Sequence, residues 1–237
     1  MLEPFYITTE ANKFVMFGLH HLGGIAFFIL LGAILVVQGK KSDTVAQERI
    51  GKTMGWVLTS AVVACFLILI GLGRFDKTTD LPLHICNTLA LLAPVLFYYK
   101  NDSLFQIFYY SVMAATTQAI LTPHLEDVFP HYMYIKYFIV HCGLVVAVWY
   151  AILVQGFRPT FKGMFVAFGA LQVFSGLLIG VNYLLGANYM YLNHKPPVAS
   201  LLDYFGPEPY YVITVELVAL LFFAFYYLPF YIFTKKR

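Results

Sequence analysis

A histidine, a cysteine and an asparagine stand close together in the stretch DLPLHICNTLALLAP, residues 80–94 of the chain. A thiol becomes a strong nucleophile once it is deprotonated, and a helix N-terminus or a neighbouring imidazole favours the thiolate. Cys86 lies near the start of an apolar segment of membrane length. These features make Cys86 a candidate nucleophile.

The base that serves Cys86 is expected to come from another helix. At about 100° per residue, His84 lies about 160° from Cys86 around the helix axis but close to Asn87. His141, in the motif HCG of the fifth apolar segment, is the best candidate for the base. His84 and Asn87 are then candidates to stabilise an oxyanion that forms on the substrate.

Other polar residues fall at a similar predicted depth, near the outer ends of the apolar segments. An unsatisfied polar group in hydrocarbon costs several kcal/mol, so such residues face the bundle interior or a water-filled cavity. We therefore predict an outward-facing polar pocket that binds the substrate. The residues predicted to bind the substrate there are His20, His21, His84, Asn87, Gln118, Asn182, Asp203 and Glu216.

The connection that contains Asp203, residues 186–209, is long for a link between two helices. Apolar residues such as Tyr204 and Phe205 lie in it between proline and glycine breaks. We predict that this connection folds over the pocket as a lid.

These residues belong to a chain with the composition of a membrane protein. Of its 237 residues, 60% are hydrophobic and 11% are charged, against about 25% charged in an ordinary soluble domain. An α-helix needs about 20 mostly apolar residues to cross a bilayer. Seven segments meet this need: 14–37, 54–73, 81–99, 104–122, 132–155, 163–185 and 210–233. The sequence predicts an all-α, polytopic membrane helix bundle with seven transmembrane helices, as a single domain over residues 1–237.

The charges predict the orientation of this bundle and its partners. Fifteen Lys and Arg against twelve Asp and Glu give a net charge of +3, and most basic residues lie in connections on one side and at the C-terminus. By the positive-inside rule, the N-terminus is outside and the C-terminus is cytoplasmic. The expected partners are membrane lipids and not nucleic acid, and the sequence sets no oligomeric state. We expect a multi-pass protein of a cell membrane.

Three functions are compatible with these residues. The first is a lipid acyl hydrolase or acyltransferase that uses Cys86 and His141, with no metal and no cofactor. The second is a metal-dependent hydrolase, although no HxxxH or HExxH pair supports it. The third is a transporter, flippase or receptor-like protein that binds a lipid or small molecule without chemistry. The metal enzyme would use four histidines as ligands and Glu216 as base; the histidines are His20, His21, His84 and His141.

Each of these residues also has a structural interpretation. Cysteine in a membrane helix often serves as a small packing residue, which applies to Cys86 and more strongly to Cys65 and Cys142. An intramembrane histidine often hydrogen-bonds across helices. Glu216 is harder to explain as structural, because a carboxylate at membrane depth is costly.

Three motifs resemble those of the YwaF-like family of bacterial integral membrane proteins: LPLHICN, HCG and NYMYLNHKPPVASLLDYFGPEPYYV. The resemblance covers almost the whole chain and implies a location in the bacterial plasma or inner membrane. That family is distantly similar to eukaryotic transmembrane lipid enzymes, an acyltransferase of ether phospholipids and the androgen-induced hydrolases of branched fatty acid esters. The resemblance implies a Cys or Thr nucleophile with a His on another helix, and it carries over to Cys86 and His141 only. Glu208 in GPEPYY replaces the aromatic residue expected between the prolines.

The orientation is tested by a fusion at Arg237. A reporter that is active only in the cytoplasm should give a signal there, because the basic connections hold the C-terminus inside. Silence from a well-expressed fusion would contradict the predicted orientation.

Overall fold

The computed structural model describes residues 13–196 and 201–234, and within these ranges the chain forms helices and no β-strand. Lys13 and Asp127 form an isolated β-bridge. The long helices are α1 (Leu19–Lys41), α2 (Thr44–Gly71), α3 (Ile85–Tyr99), α4 (Asp102–Leu121), α5 (Tyr132–Leu153), α6 (Phe161–Leu185) and α7 (Tyr211–Thr234). Short 3-10 turns occur at Tyr189–Tyr191 and Leu201–Phe205. The all-α prediction is confirmed for the described ranges.

Six of these helices are long and apolar enough to cross a membrane, so the prediction of seven spans is confirmed for six. The exception is α3, which has 15 residues and covers about 22 Å of a hydrocarbon core about 30 Å thick. It still runs beside α2 over most of its length. The Lys100 ammonium, just after α3, lies 2.7 Å from the Glu48 carboxylate near the start of α2. The residues just before Ile85 form turns and bends.

Several helix boundaries differ from the predicted segments. The clearest case is α2, which begins at Thr44 and not at 54. The Asp43 carboxylate accepts the Ala46 N–H at 2.8 Å and caps this helix end. Because the first turns of α2 are polar, hydropathy does not detect them. Two other helices begin later in the chain than predicted: α3 begins at Ile85 and not at 81, and α1 begins at Leu19 and not at 14.

The core forms where α2 packs against α3 and α5, while α1 packs on α5 and α4 packs on α6. The backbones of α2 and α3 approach closely at Gly55. A Cβ atom built there would lie 2.9 Å from the Pro94 nitrogen. Pro94 has no N–H, so the Ala90 carbonyl loses its helical partner. The Thr59 hydroxyl donates to that carbonyl at 3.0 Å and satisfies it from α2.

Gly55→Ala should destabilise the protein by about 1–3 kcal/mol, as overpacking in a core usually does. The added methyl meets backbone atoms of Ala93 and Pro94, which cannot rotate away. Thermal unfolding in detergent measures the effect. Gly71→Ala on the same helix is the matched control, because its Cβ would meet nothing within 4 Å. Equal melting temperatures for the two variants would contradict the close α2–α3 contact.

Candidate functional site

Cys86 lies in the first turn of α3 and faces the middle of α4. Its Sγ is 3.3 Å from the Thr116 hydroxyl, and either group can be the donor. Both residues are buried, Cys86 at 8% exposure and Thr116 at 0%. At this level α4 changes from α-helix to π-helix, over Val112–Thr116. Such π segments within α-helices are frequent at functional sites, and this one ends at the residue that contacts the thiol.

His141 is half-buried on α5, and its hydrogen bond determines which ring nitrogen is free. The imidazole stacks on the Tyr137 ring with centroids 4.1 Å apart. Its Nδ1 lies 2.8 Å from the Tyr137 carbonyl oxygen. A carbonyl oxygen only accepts, so Nδ1 must carry the hydrogen, and a neutral ring then has its lone pair on Nε2. Nε2 is thus the atom able to take up a proton.

The two candidate catalytic residues belong to one group of side chains on α3, α4 and α5, which we call the thiol cluster: Cys86, Thr116, Tyr137 and His141. The Tyr137 phenol lies within electrostatic range of the Cys86 thiol. Its hydroxyl donates to the Ala119 carbonyl at 2.6 Å, which ties α5 to α4. No hydrogen bond between described residues joins Cys86 directly to His141. Proton transfer between them would need a rearrangement or a relay group.

His84 and Asn87 lie on a different side of α3 from the Cys86–Thr116 contact. They share a small cavity of about 100 Å³ between the start of α3, α2 and α5. The charged side chains of Asp80 and Lys136 also line this cavity. The His84 ring packs edge-on against Tyr189, with centroids 5.5 Å apart. We call this cavity the polar cavity.

His20 and His21 lie outside both groups. His21 is fully buried, its Nδ1 accepts the Phe17 N–H at 2.9 Å, and its Nε2 lies 2.7 Å from the Ile120 carbonyl. Both ring nitrogens are therefore engaged with backbone, and the imidazole joins the start of α1 to the end of α4. His20 is exposed, and its ring lies edge-on to Tyr134.

Asn182 is fully buried near the end of α6, where it holds the connection to α7. Its Nδ2 donates to the Tyr189 carbonyl at 3.0 Å, and its Oδ1 accepts the Tyr189 N–H at 2.8 Å. The Tyr189 hydroxyl in turn donates to the Lys77 carbonyl at 2.8 Å and accepts the Leu81 N–H at 3.0 Å. Asn182 thus anchors the connection over the segment that leads into α3.

A carboxylate holds the two arms of the same connection together. Glu208 accepts the Lys195 N–H at 2.8 Å and lies 3.3 Å from His194 Nδ1. The Lys195 amide, and after it His194, hold the pKa of the Glu208 carboxyl below its ordinary value. Residues 197–200, which belong to the predicted lid, lie outside the described part of the chain.

The remaining predicted binding residues do not join the thiol cluster through any hydrogen bond between described residues. Gln118 is half-buried on α4, and Glu216 is half-buried on α7. Asp203 is exposed in the 3-10 turn Leu201–Phe205. The sequence also suggests His20 or His21 as a partner for Glu216, but both nitrogens of the His21 ring bind backbone. Among the residues that the structure describes, no three His, Cys, Asp or Glu side chains form a group that could hold a metal ion.

Sequence reasoning missed Lys136. This residue is half-buried in the first half of α5 and lines the polar cavity. Its ammonium lies within electrostatic range of both Cys86 and His141. The basic-residue count considered only the connections between segments, whereas a lysine inside an apolar segment is by itself an indication of function.

A family model described as the TMEM164 family matches residues 16–227 of the chain. The chain belongs to the TMEM164 family. Comparison with curated proteins and with solved structures gives no match. The thiol cluster, the polar cavity and the connection that Asn182 anchors all lie within the matched residues.

Asn182→Ala should release the connection before α7. Two backbone groups of Tyr189 lose their partners, so we expect a loss of about 1–3 kcal/mol in stability and faster hydrogen exchange over residues 186–196. Hydrogen exchange over residues 186–196 is measured by mass spectrometry. Asn193→Ala is the control, because its side-chain oxygen only approaches Asn182 Nδ2, at 3.5 Å. Rapid exchange over 186–196 already in the unmodified protein would mean that the connection is a loose tether.

Proposed function

We propose that this TMEM164-family protein is a membrane-embedded lipid acyl hydrolase or acyltransferase, with Cys86 as nucleophile and His141 as general base. The observation that carries the proposal is the His141–Tyr137 hydrogen bond, which leaves Nε2 as proton acceptor in the cluster that contains the thiol. The resemblance of LPLHICN and HCG to the YwaF-like family, and through it to eukaryotic lipid enzymes, supports the same pair. We further propose a location in the bacterial plasma membrane.

The proposed reaction has two half-reactions. In the first, the Cys86 thiol gives its proton to His141 Nε2, and the thiolate attacks the ester carbonyl carbon. The ester C–O bond then breaks, the leaving alcohol takes the proton from Nε2, and an acyl-cysteine remains. In the second, water or the hydroxyl of an acceptor lipid attacks the thioester while His141 takes its proton. Cys86 leaves as thiolate and is reprotonated, which releases the fatty acid or the new ester.

Thr116 has two possible uses in this reaction. Its hydroxyl can relay the proton between the thiol and the imidazole, because it already lies 3.3 Å from Sγ. It can also donate a hydrogen bond to the oxyanion of the tetrahedral intermediate. Both uses depend on the π segment Val112–Thr116, which places the hydroxyl at the thiol.

An apolar groove beside the thiol cluster fits a lipid substrate. It has a volume of about 510 Å³ and runs between α1, α4 and α5. Thr117 and Cys142, which follow Thr116 and His141 in the chain, contribute to its lining. A lipid could therefore enter sideways from the bilayer and bring its acyl group toward the cluster. Because the walls are nearly all apolar, the part of the substrate that fits this groove is an acyl chain.

The alternative is a transporter, flippase or receptor-like protein that binds a lipid without chemistry. One observation favours it: Cys86 is only 8% exposed and is in contact with Thr116. The thiol is not among the lining residues of this groove or of the polar cavity. In this alternative Cys86 is a packing residue, and the grooves between helices are the binding sites.

Modification by a lipid-like electrophile tests the Cys86–His141 pair. Cys86 should react faster than Cys65 and Cys142, which serve as internal references. His141→Ala should slow the reaction at Cys86 by at least about 100-fold, the lower end of general-base contributions. His84→Ala should change it little, because that ring faces the polar cavity. The measurement is the rate of modification at each cysteine, by mass spectrometry, across roughly pH 6 to 9, which spans the ordinary pKa values of His and Cys.

Two outcomes would contradict the nucleophile. One is a Cys86 rate no higher than that of Cys65, and the other is a rate that His141→Ala leaves unchanged. Either result would leave the binding protein as the better explanation. The thermal stability of each variant, measured in the same detergent, separates a loss of chemistry from a loss of folding.

A further inference from the structure

Lys136 stands at the junction of two cavities. One is the polar cavity, which it lines together with His84, Asn87 and Asp80. The other is a larger groove of about 530 Å³ between α2 and α5, which we call the α2–α5 groove. Lys136 and Cys65 line both. A ligand that extends from one cavity into the other would pass directly over the lysine.

The ammonium of Lys136 is available to such a ligand. Within the described residues no hydrogen bond or ion pair is formed by its Nζ, although Asp80, Cys65 and Cys86 lie within electrostatic range. The Asp80 carboxylate accepts the Asp76 N–H at 2.8 Å and so is partly used within its own connection. An intramembrane lysine is costly unless it is paired, and it marks a binding or transport site by default. An anion in the polar cavity would form an ion pair with the Lys136 ammonium.

The α2–α5 groove has the walls and length of a site for one acyl chain. Its lining is largely apolar, with Trp56, Val57, Ile135 and Ile139 among the side chains. On α2 the lining extends from Thr53 to Ile68, which at the helical rise is about 22 Å, the length of a long acyl chain. Its volume is that of a pocket for one small ligand, so a single chain fits better than two.

We propose that this junction binds a single-chain anionic amphiphile, with its acyl chain in the α2–α5 groove and its charged oxygen group in the polar cavity on Lys136. His84 and Asn87 can donate further hydrogen bonds to that group. The polar cavity, at about 100 Å³, exceeds the share of about 30 Å³ that one water occupies in the liquid, and it can take a carboxylate or a compact phosphate. The site is separate from the α1–α4–α5 groove and does not require Cys86 to be a nucleophile.

Photocrosslinking with three matched probes tests the site. All carry the same long diazirine-bearing chain, ending in a carboxylate, a phosphate monoester or a neutral alcohol. With the intact protein in detergent, the acid or the phosphate ester should label peptides of α2 and α5 along the groove, and the alcohol should label them weakly. Whichever anion labels more strongly identifies the head group. Equal labelling by all three probes, or labelling by none, would overturn the proposal.

Substitutions at the junction sharpen the test. Lys136→Met should reduce labelling by the anionic probe at least about tenfold, since a hydrogen bond to a charged group is worth that much, and Lys136→Arg should retain most of it. Asp80→Asn should increase labelling, because it removes a repelling carboxylate from the polar cavity. Lys77→Met is the control, since Lys77 is exposed and outside both cavities. The Cys86→Ala variant should be labelled by the anionic probe as strongly as the unmodified protein, which separates this proposal from the catalytic one.

Unchanged labelling in Lys136→Met would also overturn the anion site. Thermal melting of this variant shows whether the protein is still folded. If Lys136→Met unfolds, the comparison of the acid with the alcohol on the unmodified protein decides by itself.

Discussion

The hydrogen bond from Thr59 to the Ala90 carbonyl sets the position of α3, and much of the functional region depends on that helix. In a bilayer each backbone carbonyl needs a partner within the protein. Pro94 takes one partner away from Ala90, and the Thr59 hydroxyl on α2 replaces it at 3.0 Å. Gly55 allows the two backbones to approach closely enough for this bond. With α3 held in this way, Cys86 faces α4 and His84 faces the polar cavity.

The same requirement explains how the other helices are joined. Tyrosine hydroxyls donate to backbone carbonyls of other helices or of their ends at several levels of the bundle. Tyr109 donates to the Tyr226 carbonyl at 2.7 Å, and Tyr134 donates to the His20 carbonyl at 2.6 Å. Each aromatic ring fills space among apolar side chains while its hydroxyl reaches a polar atom. His21 and Asn182 likewise form hydrogen bonds to backbone groups of other segments. Two residues that the sequence suggests as substrate-binding are therefore engaged with backbone.

The sequence predicts some of this well, for physical reasons. Hydropathy finds the six long spans because lipid requires apolar residues over a set length. The helical angle predicts that His84 and Cys86 lie on different sides of α3, whereas in the structure His84 is the residue before the helix begins at Ile85. The start of α2 at Thr44 was missed because a cap at Asp43 extends a helix through polar residues. The partners of His21 lie in the chain as far away as Ile120, and only the folded packing reveals them.

The π segment of α4 has a consequence for the phase of that helix. A π turn holds one residue more than the α-helical register requires, so everything after Val112–Thr116 is rotated by about 100° relative to an uninterrupted helix. The first half of α4 can thus direct Tyr109 and Tyr110 toward α7 and the start of α6, while Thr116 faces α3. Two successive residues at the end of the segment therefore meet different helices, since Thr116 reaches Cys86 on α3 and Thr117 reaches Tyr226 on α7. Loss of a single residue in this segment would restore the register and turn the Thr116 hydroxyl away from Cys86.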